Sequence, residues 1–79
     1  MPRYFFHLHN DIDAVDEEGL ELPDLQAARD QALRDARHMA AASVVEHGRI
    51  NLRHHIDVAD DCGQVLCSAT FGEAVTIAN

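Results

Sequence analysis

The chain has 79 residues, with 14 acidic and six basic side chains and a formal charge of −8. A chain this short forms one domain, residues 1–79, whose core supplies only about 3–5 kcal/mol, and its 47% hydrophobic content is too high for a disordered tail. No apolar run approaches the roughly 18–20 residues of a membrane span, and the acidic balance disfavours nucleic acid, whose nonspecific affinity rests on cationic neutralisation of phosphate.

The opening segment alternates Tyr4, Phe6 and Leu8 against Phe5, His7 and His9, which predicts a strand with the first set on the core face. It is too short and too broken by histidine for a signal-peptide apolar region, so a cytoplasmic location is expected. Two cysteines, Cys62 and Cys67, fit that compartment as free thiols, one in a turn and one in the core.

Residues 11–24 hold half of the carboxylates and no basic residue. Within them runs an internal echo: Ile12, Asp13, Asp16, Gly19 and Leu22 recur in register as Ile56, Asp57, Asp60, Gly63 and Leu66. Both stretches read as strand, acidic turn closed by glycine, and second strand, since a carboxylate accepts nearby backbone N–H groups and glycine takes positive φ. Two hairpins are therefore expected.

Pro23 ends the extended segment, Asp24 caps or sits in the first turn of a long helix over 24–47, and Gly48 stops it. Leu25, Ala28, Ala32, Ala36, Met39, Ala40 and Ser43 share its predicted inner face, and Asp30 with Arg34 forms an i,i+4 pair on the other side. At 1.5 Å per residue this helix is about 36 Å long, whereas a seven-residue strand spans about 23 Å. Its last turns should overhang the sheet, and there 39–45 is apolar almost all round.

In the second hairpin, 54–59 pairs with 64–70. Placing Val58 opposite Val65 and Ile56 opposite Cys67 puts Ile56, Val58, Val65, Cys67 and Ala69 on one apolar face. Residues 71–79 read equally as a short helix or an edge strand. The fold expected is α+β in two layers: an antiparallel sheet of about four to five strands (β, hairpin, α, hairpin) covered on one face by a single long helix.

The open sheet face carries Phe5 and Leu66, and the overhang carries Ala41, Val44 and Val45. Together they predict a homodimer or partner surface. Asp11, Asp13, Asp16, Glu17 and Glu18 form an acidic surface suited to a basic protein. His7 and His9 point to one side of their strand, and with His55 they form a candidate metal site if the two strands are neighbours. An EF-hand reading from Asp11 fails, because Val15, Asp16 and Leu22 stand at its fifth, sixth and twelfth positions. Ser43 and Ser68 lack an elbow motif, and no phosphate-cradling glycine loop exists, so neither catalysis nor a cofactor is expected.

At Arg3-Tyr4-Phe5-Phe6 and Glu18-Gly19-Leu20-Glu21-Leu22-Pro23-Asp24 the chain resembles a family of short bacterial domains of unknown function, a likeness that covers nearly its whole length. A more distant likeness, in topology and the Arg-Tyr opening, is to HicB-type antitoxin domains. That likeness implies an acidic module neutralising a basic partner.

Overall fold

The computed structural model describes residues 1–78. In chain order the elements are β1 (Arg3–His9), β2 (Leu20–Glu21), α1 (Leu25–His47), β3 (His55–Ala59), β4 (Val65–Thr70) and α2 (Phe71–Ala74). The strands form one antiparallel sheet in the order β2-β1-β3-β4, and α1 packs on one of its faces. This is the two-layer α+β fold read from the sequence, with four strands. β2 and β3 are each antiparallel to β1, hence parallel to each other, and α1 makes the crossing between them.

The hairpin expected over residues 12–22 does not form. Ala14 bridges Leu8, and Leu20 pairs with Tyr4, so both halves of the segment lie along the same edge of β1. Asp16 occupies the break between them. Its carboxylate accepts the N–H groups of Phe6, Glu18 and Gly19, each at 3.1 Å. Asp60, its echo, accepts from Cys62 and Gln64 at 2.9 Å and does close the hairpin β3–β4. The turn chemistry repeats, while the pairing around it does not.

Asp24 caps α1 by accepting from the Ala27 N–H, and Gly48 ends it in the left-handed conformation at φ 69°. Ala28, Ala32, Ala36 and Ala40 are fully buried, and these small side chains let the helix lie close on the sheet. A four-residue step advances about 40° beyond a full turn, so the buried stripe winds around the axis as the helix crosses the sheet. That winding leaves Leu25 and Met39 on the margin and exposed, contrary to the single straight face expected. Asp30 and Arg34 do not pair; Gln26 donates to Asp30, and Arg34 to Gln31.

Tyr4, Ile56, Val58, Ala69 and Phe71 complete the core, with Phe6, Leu8, Leu33 and Cys67 packed around it. The β3–β4 register is shifted by two from the expectation: Ile56 faces Ala69 and Val58 faces Cys67. A bulge between Val58 and Ala59 sets Val65 beside Ala59 and leaves it exposed. Residues 71–74 resolve as a helix with a Thr70–Glu73 capping box. It docks by N–H bonds from Phe71 to the His54 carbonyl (2.8 Å) and from Gly72 to that of Leu52 (3.1 Å).

Candidate functional site

The face of the sheet opposite α1 gathers the polar side chains of β1, β3 and β4. Strand β1 lies directly beside β3, in a register that sets His9 against His55 and His7 against Asp57. The rings of His9 and His55 stack with centroids 4.9 Å apart. Nε2 of His9 lies 3.0 Å from one Asp57 carboxylate oxygen, and Nε2 of His55 lies 3.5 Å from the other. The Ser68 hydroxyl, across on β4, donates to the same carboxylate.

The outer nitrogens have partners of their own. Nδ1 of His9 is 3.3 Å from an Asp13 oxygen, and Nδ1 of His55 is 3.4 Å from the Arg53 carbonyl. His7 is committed elsewhere, because its Nδ1 accepts the Asp16 N–H at 3.0 Å. Of the three histidines expected to converge, His9 and His55 do. Asp57, which the sequence reading set on this face without a role, takes the third place. The His55–Asp57 spacing puts the two on one face of β3, but the meeting of Asp57 with His9 depends on the β1–β3 register, which spacing does not give.

The expected dimer residues fall on two separate surfaces. Phe5 and Leu66 belong to the open sheet side, with Phe5 opposite Ala59 and lying over Gly19. Ala41 and Val44 line a groove at the far end of α1, completed by Arg37, Ala40, Ile50, Val75 and Ile77. Val44 is 49% exposed and Val45 84%. Val44 stands four residues beyond Ala40, in line with the buried stripe, and its neighbours in the groove are Ile50, Val75 and Ile77 and no strand residue.

Several carboxylates of the acidic segment have arginine or imidazole partners. Asp11 lies 3.5 Å from His54 Nε2 and 3.9 Å from Arg49, and Asp13 faces His9. Arg3 pairs with Glu21 and donates to the Glu18 carbonyl. Asp16 turns inward: burial raises its pKa, but the N–H bonds from Gly19, Phe6 and Glu18 outweigh that and hold the carboxylate below its ordinary value. Asp16 is thus a structural group, and Glu17 and Glu18 remain exposed beside it. Ile12 (81% exposed) and Val15 (73%) stand apolar among these carboxylates.

Both thiols are free. Asp61 and Asp60 push the Cys62 thiol up, and burial pushes that of Cys67 up. Asp60, Asp61 and Cys62 also cluster, but on an exposed turn where Asp60 already serves the backbone. Among the described residues no helix is long and apolar enough to cross a membrane.

This geometry belongs to a recognised sequence class. The model of a domain of unknown function, DUF6894, matches residues 3–72. The chain belongs to the DUF6894 family. The DUF6894 match takes in all four strands, α1 and the start of α2, and so includes His9, His55, Asp57 and the exposed end of the helix. No curated protein and no solved structure matches the chain.

Proposed function

We propose that this DUF6894 chain is a non-enzymatic, cytoplasmic protein-interaction module that pairs with a second copy of itself through the overhanging end of α1. The observation that carries this reading is exposed Val44, which continues the line of the buried alanine stripe, with Val45 exposed beside it. Helix surface that is apolar past the edge of its own sheet gains stability by burial against something else.

Charge argues for a second copy as the occupant. Two chains of −8 each repel, so they meet best where carboxylates are fewest. The helix-end groove is lined by apolar side chains and Arg37, with no carboxylate. Ile12 and Val15 lie amid Asp11, Asp13, Glu17 and Glu18, and Val65 and Leu66 follow the Asp60–Asp61 turn. The raised thiols, and the Ser43 hydroxyl that donates to the Arg49 carbonyl, support a non-enzymatic role, since none of these is an activated nucleophile.

Light scattering on the full untagged chain tests the pairing. Twice the chain mass of 8.8 kDa is expected, falling to one chain mass in the double variant V44E/V45E and unchanged in Leu66→Ser. A monomer at all concentrations, or a dimer indifferent to V44E/V45E, refutes it.

A second reading, an antitoxin-like or regulatory domain that binds a basic protein, has its own observation. Ile12 and Val15 are exposed apolar anchors ringed by carboxylates, a pairing of hydrophobic contact with electrostatic steering. Co-purification of a basic protein, lost on Ile12→Ser and kept in V44E/V45E, would favour it.

A further inference from the structure

The imidazole cluster on the open face presents acceptors to acceptors. A neutral imidazole carries one proton, on one of its two nitrogens. For His9 and His55 the outer nitrogen faces an oxygen that can only accept, from Asp13 and from the Arg53 carbonyl. In the tautomer that places the proton on Nδ1, donating to Asp13 or to the Arg53 carbonyl, Nε2 of each ring is a lone pair free to take a ligand. Both lone pairs point at the Asp57 carboxylate, which has no proton to give when ionised. Three electron-pair donors facing one space form a set that a single cation can bridge. One divalent ion held by the two stacked rings and Asp57 would satisfy all three donors at once.

The distances fit such an ion. Zinc sits about 2.0–2.1 Å from imidazole nitrogen and at similar range from carboxylate oxygen, which puts tetrahedral ligand atoms roughly 3.3–3.4 Å apart. The two nitrogen–oxygen separations to Asp57 are 3.0 and 3.5 Å, and all three donors lie within 4.8 Å of one another. The supporting shell is also of the right kind. Histidine ligands commonly donate the other ring N–H to a carboxylate or a backbone carbonyl, the roles Asp13 and Arg53 fill here. Ser68 steadies Asp57, whose side chain is only 16% exposed.

From this we infer that His9 Nε2, His55 Nε2 and the Asp57 carboxylate form a binding site for one divalent transition-metal ion of the zinc type, with its remaining coordination position open to solvent on the bare sheet face. The donor set of two imidazoles and one carboxylate suits zinc and its neighbours and not calcium or magnesium, which take oxygen ligands. This site is independent of the helix-end surface, so either can stand without the other.

The test is calorimetric titration of the untagged full chain with zinc chloride at about pH 7.5, where ordinary imidazole is mostly unprotonated. One ion per chain is expected to bind saturably. His9→Gln and His55→Gln each abolish saturation, while His38→Gln, on the exposed side of α1, leaves it unchanged. Asp13→Asn, which touches no metal, weakens binding by about tenfold or more because the ring loses its orienting partner. On the unmutated protein, zinc should move the imidazole NMR signals of His9 and His55 and leave those of His38 and His47 in place. This second readout holds even if a variant folds poorly. No saturable binding by the unmutated chain, equal loss in His38→Gln, or signal changes spread over all six imidazoles each overturns the inference.

Discussion

The Asp16 carboxylate stands in for a strand: it accepts the N–H of Phe6, on β1, at 3.1 Å, where the edge segment breaks between Ala14 and Leu20. The same side chain holds the N–H groups of Glu18 and Gly19. Three backbone donors thus depend on one group. Hydrogen bonds to a charged acceptor are worth about 1.5–3 kcal/mol when lost from a folded protein, less where water can replace them. Asp16→Ala should cost about 2 kcal/mol in total. For a domain this small that is a fall in Tm of roughly 8–16 °C, to be read by thermal unfolding against the unmutated chain.

Acid should erase that difference. The folded state holds the Asp16 carboxyl below its ordinary value, through N–H bonds that outweigh the effect of burial. A depressed folded-state pKa contributes stability that is present above the unfolded value, about 3.9, and is lost as pH falls through the folded value. The Tm gap between the unmutated chain and Asp16→Asn should therefore be full at about pH 6 and narrow steadily below about pH 4. A gap constant down to about pH 2.5 would mean that the carboxylate charge is not what the three N–H groups need.

How much of this was legible depended on whether the cause was local. Asp24 and Gly48 bound the helix as read, because capping involves neighbours in sequence. The Asp–Gly turn grammar held at both echoes, with Gly19 and Gly63 at positive φ. What surrounds those turns is decided by tertiary pairing. Ile56 is buried under α1 while its echo Ile12 stands in solvent, so identical local pattern led to a strand in one case and a split edge in the other. The β3–β4 register moved by two: pairing begins at Ala59–Val65, one residue off the expectation, and a bulge between Val58 and Ala59, invisible to alternation, adds the second. The candidate metal-ligating set differs for the same kind of reason. Two-residue spacing put His7 and His9 on one face, but whether His7 or Asp57 completes the cluster depends on Asp16 reaching back to His7.

The alanine stripe gives a sharp test of packing. Ala32 is wholly buried between α1 and the sheet, with Ala28 and Ala36 on either side. Leucine there has nowhere to go, and inserting methylenes into a full core typically costs about 1–3 kcal/mol. Against a total of about 3–5 kcal/mol for a core of this size, Ala32→Leu should leave the chain marginal. Its urea midpoint should fall by half or more, while Ala42→Leu on the exposed side should change little.

The glycines separate strain from crowding. Gly63 has φ 85° with open space where a Cβ would stand, so Gly63→Ala meets only the cost of the left-handed conformation, about 1–2 kcal/mol. Gly19, at φ 71°, adds contacts: its Cβ would fall 2.9 Å from Arg3 Cγ, from Phe5 Cε2 and from the Tyr4 carbonyl. The carbonyl is backbone of β1 and cannot move without disturbing the pairing of Tyr4 with Leu20. Gly19→Ala should therefore cost at least about 1–3 kcal/mol more than Gly63→Ala, enough to unfold much of the population at room temperature. The two denaturation midpoints decide it. Equal midpoints would mean that the edge segment does not lie against β1, and with it the seat of Asp16 beneath His7 would be lost.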